Sequence, residues 1–392
     1  MKVCRYTGYG DITSAAKNAE VFSSRNGLTN LTQRSSLFGQ LRLRHLWPLL
    51  RHARLIGREA WSRAKRNHGR FAELQPAEAT RYRRPISIFL KKRGSAGIAP
   101  IVERHIDQAM PKGSICLCRD LIWPCTEDAT RAMLGLPDEG WGVYRDPMLQ
   151  FMIGGEPDPI LGIVTRLRAR HVLEQEVRRQ RTSPVAGGLI AHLIQWESGG
   201  QSFSDTEIPG SVWMILGGYI GTEYFLSSAL NYFSEHAHAR REFLNNPHVR
   251  SSAIEELLRY FTPGRQSQRL ITSRCVVEGE QYENGDVAIL DWAAGNFDER
   301  VFVNPEDIDF NRSNRDHLSF GAGAHYCIGA GFAREFSGLF LVRFLEAFPH
   351  YKIDASKSVR YQYPSLAGFD TLPADLAARP LDAVAGHGPD AR

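Results

Sequence analysis

The residues with the most chemistry in the least space lie near the C-terminus, in the run FGAGAHYCIGAGFARE from Phe320 to Glu335. Here one cysteine, Cys327, is set among Gly321, Gly323 and Gly329 and stands just before a helical run. Glycine allows sharp bends and lets backbone approach a flat ligand closely. A thiolate at a helix N-terminus is stabilised by free backbone N–H groups and by the helix dipole, so such a cysteine suits a soft metal that takes an electron-rich ligand. The glycine-rich bend would also aim N–H groups at the sulfur and moderate its donor strength. Two other readings stay open on the residues alone. One is a glycine-rich turn around an inert, buried thiol. The other is a nucleotide-binding loop, weakened because no Lys or Ser/Thr follows in Walker order and no G-x-G-x-x-G opens after a clear strand.

Several elements must position this segment. A final helix is expected from just after Cys327 to about residue 347. Residues 296–320 have no steady period and read as a long irregular segment, a feature that tends to be functional inside a compact domain. Short strands are expected over 264–290, in RLITSRCVV and VAILDWA, with a turn between them. The run RSSAIEELLRY, 250–260, reads as a helix stopped by Pro263. Upstream, 205–236 is apolar almost all round and reads as one long buried helix, its start capped by Asp205. Residues 96–180 read as mostly helical, with breaks at 135–142 and 154–159. A polar helix, an apolar helix and a Gly/Ser turn follow over 160–205. In 40–70, Leu, Trp and Ile are mixed with many arginines, which suggests one or two amphipathic helices broken by Pro48. Such a face could be basic and solvated, dock an acidic partner, or lie on a membrane or nucleic acid.

The Cys327 segment resembles the haem-binding signature of the cytochrome P450 family: Phe, two residues, Gly, three residues, Cys, one residue, Gly. Here those are Phe320, Gly323, Cys327 and Gly329, and Ala333, Arg334 and Glu335 extend the match into the helix behind. The resemblance makes Cys327 the axial ligand of iron in haem b. It places Phe320 beside the thiolate and His325 at a haem propionate. EELLR supplies an E-x-x-R pair, Glu256 and Arg259, which share a helical face and can join one buried ion network. Arg312, in the stretch WAAGNFDERVFVNPEDIDFNR, is its candidate third member, and Pro305, Phe310 and His317 also fall in segments of familial look. Arg269 resembles the arginine that pairs with a propionate, and Arg83, in TRYRRPISIF, resembles another. Ala79 stands where the family usually has a histidine. The resemblance is strongest over about 205–345 and weakest before 75. It implies a mainly α fold with a small β region, a triangular prism-like single domain. Residues 1–75 would be a divergent basic region packed on a haem-binding core of 76–372, with 373–392 a peripheral tail.

The central helix departs from the family pattern, Ala/Gly-Gly-x-Asp/Glu-Thr-Thr. This chain has GGYIGT, Gly217 to Thr222. Gly217 and Gly218 would leave room for dioxygen. Ile220 stands where the acid is expected and Gly221 where the proton-relaying threonine is expected, with Thr222 and Glu223 one position later. Hydroxylation needs protons delivered to bound dioxygen, and this side-chain relay is lost. Gly218, Gly221, Thr222 and Glu223 are therefore the candidate catalytic positions. Water or a polar group of the substrate could deliver protons. Alternatively the enzyme performs aryl or phenolic coupling, ring formation, desaturation or nitration, or it is a peroxide-driven peroxygenase. A shift of one residue that restores Thr222 to the relay is a further possibility. A haem sensor without turnover is the non-enzymatic alternative. Tyr219, Ile220 and Gln266 are the candidate substrate-pocket residues, with Phe225 more a packing residue than a contact.

Composition bounds the rest. The chain has 392 residues, 43% hydrophobic and 23% charged, with a formal net charge of +5. That composition is globular, and the mild positive charge does not by itself imply nucleic acid. Six cysteines are too few for a disulfide scaffold. The cluster Cys116, Cys118 and Cys125 lacks the paired spacing of a zinc ribbon and reads as buried thiols. No signal peptide or membrane span is evident, so the chain is expected to be cytoplasmic and monomeric, with neither membrane nor nucleic acid as partner. No flavin or iron–sulfur module is attached. The resemblance therefore implies a separate ferredoxin and ferredoxin reductase, with NAD(P)H as the ultimate donor and a small molecule, a secondary metabolite, as substrate. Lys91, Lys92 and Arg93 are expected docking charges for an acidic ferredoxin.

Overall fold

The computed structural model of the chain describes residues 1–25, 43–64, 68–94, 97–138, 141–153, 159–198 and 200–377. In chain order the elements are β1 (Val3–Tyr6), α1 (Tyr9–Lys17), β2 (Phe22–Ser23), α2 (Leu43–Arg51), α3 (Ala53–Ala64), α4 (Pro76–Arg93), α5 (Ala99–Ala109), β3 (Ser114–Cys116), α6 (Trp123–Leu134), α7 (Gly142–Ile153), α8 (Pro159–Thr182) and α9 (Leu189–Gln195). After a short hairpin, β4 (Glu197–Ser198) and β5 (Gln201–Ser202), come α10 (Glu207–Leu216), α11 (Gly218–Glu235), α12 (Ala237–Asn245), α13 (Pro247–Phe261), β6 (Gln266–Ile271), β7 (Cys275–Val277), β8 (Glu280–Tyr282), β9 (Val287–Asp291) and α14 (Trp292–Gly295). The last elements are α15 (Ala330–Ala347), β10 (Lys352–Ile353), β11 (Val359–Tyr363), β12 (Leu366–Thr371) and β13 (Pro373–Asp375). The fold is mainly α with a small β region.

Local chemistry sets the helix ends that matter here. α4 opens on Pro76 with a capping box between Gln75 and Glu78, and Lys91, Lys92 and Arg93 in its last turn complement the dipole. α13 opens on Pro247 and ends at Thr262, which takes a left-handed conformation (φ 37°) just before Pro263. α15 carries Phe332, Phe336, Phe340 and Phe344 four residues apart, and Phe348 follows at its C-cap, so the rings form one ladder with centroids 5.0–6.2 Å apart. That ladder fastens the helix behind Cys327 into the core.

The helix expected over 205–236 is interrupted. α10 ends at Leu216 and α11 begins at Gly218, with Gly217 between them. Adjacent glycines have the lowest helix propensity of any residue but proline, and here they mark the break. Asp205 does not cap α10. It pairs with Arg181 at 2.7 Å, and Glu207 instead accepts hydrogen bonds from the Ser204 amide and hydroxyl. Pro48 does not separate two helices either. It lies inside α2, and the break falls at His52. Of the expected breaks at 135–142 and 154–159, residues 139–140 and 154–158 lie outside the described residues. So do residue 199 in the Gly/Ser turn and 378–392 in the tail.

The main sheet has the order β1-β9-β6-β2. β1 runs parallel to β9, with Val3 opposite Val287, and β2 pairs antiparallel with β6, with Phe22 opposite Ile271. Residues 3–23 are thus part of the sheet that carries Arg269 rather than a layer packed on it. β13 is the middle strand of the sheet β10-β13-β3, so a peripheral tail does not begin at 373. Buried apolar side chains gather around α11 and α15, around α4 and α7–α10, and between α1 and the main sheet.

Candidate functional site

A cavity of about 350 Å³ borders all three apolar clusters. Cys327, Phe320, Gly321 and Gly329 line one wall, and Gly218, Gly221 and Thr222 of α11 line another. Arg269 and His325 line a third side, with Gln266 and Tyr219 farther round.

The Cys327 loop is held by named contacts. Its amide donates to the Phe320 carbonyl at 2.9 Å, and Gly321 and Gly323 take φ of +72° and +71°. At Gly323 a side chain is excluded twice. A Cβ would lie 2.5 Å from the Ala16 carbonyl oxygen of α1, and the backbone itself is left-handed. Gly329 has no such requirement, since its Cβ would meet only the Cys327 sulfur at 3.9 Å. Burial pushes the Cys327 thiol up, while the backbone N–H groups of Gly329 and Ala330 and the cations Arg83 and Arg334 pull it back toward the thiolate. Arg334 stacks its guanidinium 4.4 Å over the Phe320 ring and forms a two-pronged ion pair with Glu255 at 2.6 and 2.7 Å. Burial alone would raise the Glu255 carboxyl, but hydrogen bonds from His317 and Arg334 reverse this and hold it at about 2.

Glu256 and Arg259 meet in a second two-pronged pair, both contacts 2.9 Å, and Arg312 donates to both Glu256 oxygens at 3.0 Å. All three are buried. Asn296 links this network to the cysteine loop. Its amide donates to Ser319 and Thr262 and its oxygen accepts from the Leu318 amide.

The cationic side of the cavity is short of negative charge. Arg269 is buried and donates to Ser267 Oγ and the Gln268 carbonyl, yet burial without a carboxylate beside it lowers its guanidinium to about 10. Nε2 of His325 lies 2.8 Å from Ser24 Oγ, while its Nδ1 is buried without a hydrogen-bond partner. Burial, Arg269 and Arg83 together hold the His325 imidazolium down to about 4. Arg83 donates to the Tyr326 carbonyl at 2.6 Å. Buried cations cost free energy unless an anion joins them, so this rim calls for carboxylates.

The other expected positions divide. Gly218 and Gly221 border the cavity, and a Cβ on either would meet nothing within 4 Å. Thr222 borders it too, with its hydroxyl donating back to the Gly218 carbonyl at 3.2 Å. Glu223 is not on the cavity wall. It is buried on the side of α11 toward α6 and α7, where it accepts from Thr126 (2.8 Å) and from Arg145 (3.1 Å twice). Burial raises its carboxyl to about 7 against these partners. Ile220 is likewise off the cavity, buried in the apolar cluster around α10. Tyr219 borders the cavity, its ring 5.4 Å from Trp141 and its hydroxyl buried without a hydrogen-bond partner. Phe225 both borders the cavity and belongs to the core. Ala79 is buried on the inner side of α4. Arg93 is not a free docking charge, because it donates to the carbonyls of Gly187 and Ala132.

A family model described as cytochrome P450 matches residues 238–367, which hold Glu256, Arg259, Arg269 and Cys327. The cyclomarin C epoxidase CymV of Salinispora arenicola is 30% identical over 279 residues, spanning 69% of this chain and 70% of that protein. The chain belongs to the cytochrome P450 family. Cytochrome P450 CYP107DY1 of Priestia megaterium is 25% identical over 308 residues, 76% of this chain and 75% of that one. The solved structure of the P450 CYP109B1 from Bacillus subtilis shares the fold, with a TM-score of 0.75 at 19% identity over 95% of this chain and 92% of that one. As a P450 the chain is an oxidoreductase of the monooxygenase type, and the cofactor of its family is haem. The residues fit that group: a thiol on one wall of the cavity, glycines on another, and the buried Arg269, the half-buried Arg83 and an unpartnered His325 imidazole nitrogen that carboxylates would satisfy.

Two contributors to this P450 site carried no signal in the sequence. Ser24 and Ala16 sit in the N-terminal segment, far from any familial motif, and reach the cysteine loop only through the fold. Glu255 did carry a signal, as the neighbour of Glu256 in EELLR and the only acid in reach of Arg334 from that helix.

Proposed function

We propose that this P450 is a haem-thiolate oxidoreductase that uses dioxygen and electrons from a ferredoxin and its reductase to oxidise a small organic substrate, in the manner of a secondary-metabolite tailoring enzyme. The observation that carries this reading is the Cys327 thiol on one wall of a cavity beside the guanidinium groups of Arg269 and Arg83 and the neutral His325 imidazole, a side short of anions. Haem b bound there supplies oxygen activation at the iron. The protein's share is to hold the thiolate with the N–H groups of Gly329 and Ala330, to anchor the propionates on Arg269, Arg83 and His325, and to leave space above Gly218 and Gly221. The relative named cyclomarin C epoxidase supports the substrate class. Lys91 and Lys92 are exposed on α4 and suit an acidic electron donor.

A second reading has its own observation. No acid borders the cavity from α11, and the hydroxyl of Thr222 is turned back on its own helix. Proton delivery then falls to water or to the substrate, and coupling, ring formation or another oxidation that needs no directed relay is favoured by the same wall. The test is turnover of purified, haem-loaded protein with NAD(P)H, ferredoxin and reductase against turnover with peroxide alone. Substrate-dependent NAD(P)H consumption supports the ferredoxin route. Turnover with peroxide only makes it a peroxygenase, and ligand binding without turnover in either makes it a haem sensor.

A further inference from the structure

For the arginine-rich run near residue 50 the sequence left a basic solvated face, an acidic partner, a membrane surface and nucleic acid open. The structure adds an exposed apolar strip to it. On α2 the polar residue His45 is buried (1% exposed), while Leu46, Trp47 and Leu50 point outward at 58%, 72% and 62% exposure. Positions 46, 47 and 50 fall within one turn on one face of a helix, so the three form a continuous apolar strip. Trp61, 64% exposed, extends the apolar surface onto α3. The inner sides of α2 and α3 are already used, packed on α8, with Arg58 paired to Glu174 at 2.8 Å. That packing leaves Leu46, Trp47 and Leu50 largely exposed. Arg51 and Arg54 stand exposed beside it. Residues 40–70 contain nine arginines and lysines and a single acid, Glu59.

We propose that the outer face of α2 and α3 is a peripheral docking surface for an anionic lipid bilayer. Leucine and tryptophan side chains that project from a surface helix, flanked by guanidinium groups, match what an interfacial helix needs: an apolar strip to enter the headgroup boundary and cations to meet the lipid phosphates. Tryptophan is the side chain that settles best at that depth. The sign of the charge selects anionic over zwitterionic lipid. The contact is lateral, since no described helix is long and apolar enough to cross a membrane.

Flotation of the full, haem-loaded chain with large vesicles tests this. The chain floats with equimolar phosphatidylcholine and phosphatidylglycerol, stays behind with phosphatidylcholine alone, and is released by salt. The triple variant Leu46→Ser, Trp47→Ser, Leu50→Ser lowers partitioning by about tenfold or more, and Arg51→Gln with Arg54→Gln lowers it by a smaller factor. Lys91→Gln with Lys92→Gln, on a different face, leaves it unchanged. Brominated lipid quenches tryptophan emission, and Trp47→Leu reduces that quenching while the protein still floats. Failure to float with the anionic vesicles, equal flotation with both lipids, or an unaltered triple variant overturns the proposal. A dimer in solution that the triple variant splits also overturns it, and assigns the strip to a second copy of this chain.

Discussion

The two walls of the cavity are built on different principles. The cysteine wall is pinned from every side. The Cys327 amide is bonded to Phe320, Arg334 is locked between Phe320 and Glu255, and Glu256, Arg259 and Arg312 tie α13 to the irregular segment before the loop with ionic contacts of 2.9–3.0 Å. The opposite wall, on α11, is left open. Gly218 and Gly221 present backbone and space, Thr222 is turned back on its own helix, and Glu223 points away into a separate ion pair with Arg145. A ligand to iron tolerates little variation in geometry, so the wall that presents it is over-determined. On the proposed function, the wall that would meet oxygen and substrate can change without loss of the cofactor, and here Gly221 stands where the family pattern has a threonine.

The contrast can be broken most sharply at Glu256. Glu256→Gln leaves Arg259 and Arg312 buried with reduced compensation, which costs about 3–5 kcal/mol and lowers haem content, as urea unfolding and the haem-to-protein absorbance ratio would report. If stability and haem content stay at the parental level, the bracing account is wrong.

Next in size is the acid behind the open wall. The folded Glu223 carboxyl sits near 7, above its ordinary 4.5. A carboxyl raised on folding prefers its protonated form in the native state. Its contribution is therefore whole below pH 4.5 and is lost as pH rises from 4.5 through about 7. Glu223→Gln removes that loss, while Glu127 still pairs with Arg145 at 2.5 Å. The variant should gain on the parent by up to about 3 kcal/mol as pH climbs through this window, read from unfolding curves at stepped pH. A constant difference across the window would place the Glu223 titration elsewhere.

The glycines sharpen the comparison at smaller scale. Gly323→Ala forces a left-handed alanine onto the Ala16 carbonyl and should cost about 2 kcal/mol or more, with loss of haem affinity. Gly221→Ala enters open space in a helix and should stabilise the protein by about 1 kcal/mol. Opposite signs at a glycine of the cysteine loop and a glycine of α11 are the signature of one pinned and one open wall. Equal effects in thermal melts would erase it.

What could be read from the residues follows the same division. Phe320, Gly323, Cys327, Gly329, Glu256 and Arg259 were legible through their resemblance to the family signature, while the residues alone left a glycine-rich turn and a nucleotide-binding loop open. The orientation of α11 was not. The break at Gly217 resets the helical phase, so position alone could not say that Ile220 and Glu223 turn from the cavity while Gly221 and Thr222 face it. The N-terminal contribution was also hidden. β1 is four residues long with no repeating pattern, and its partner β9 lies some 280 residues away in the chain. Ser24 and Ala16 meet His325 and Gly323 only because that sheet closes. The apolar strip on α2 could not be placed from the sequence, because composition counts arginines and leucines without saying which side faces out.

The central claim, a thiolate from Cys327 on haem iron, is tested most directly by the reduced, carbon monoxide difference spectrum of the purified protein and of Cys327→Ser. The account predicts the red-shifted Soret band of thiolate-ligated haem in the parent and its disappearance in the variant. A parent that shows no haem signal, or a variant that keeps the red-shifted band, would contradict it.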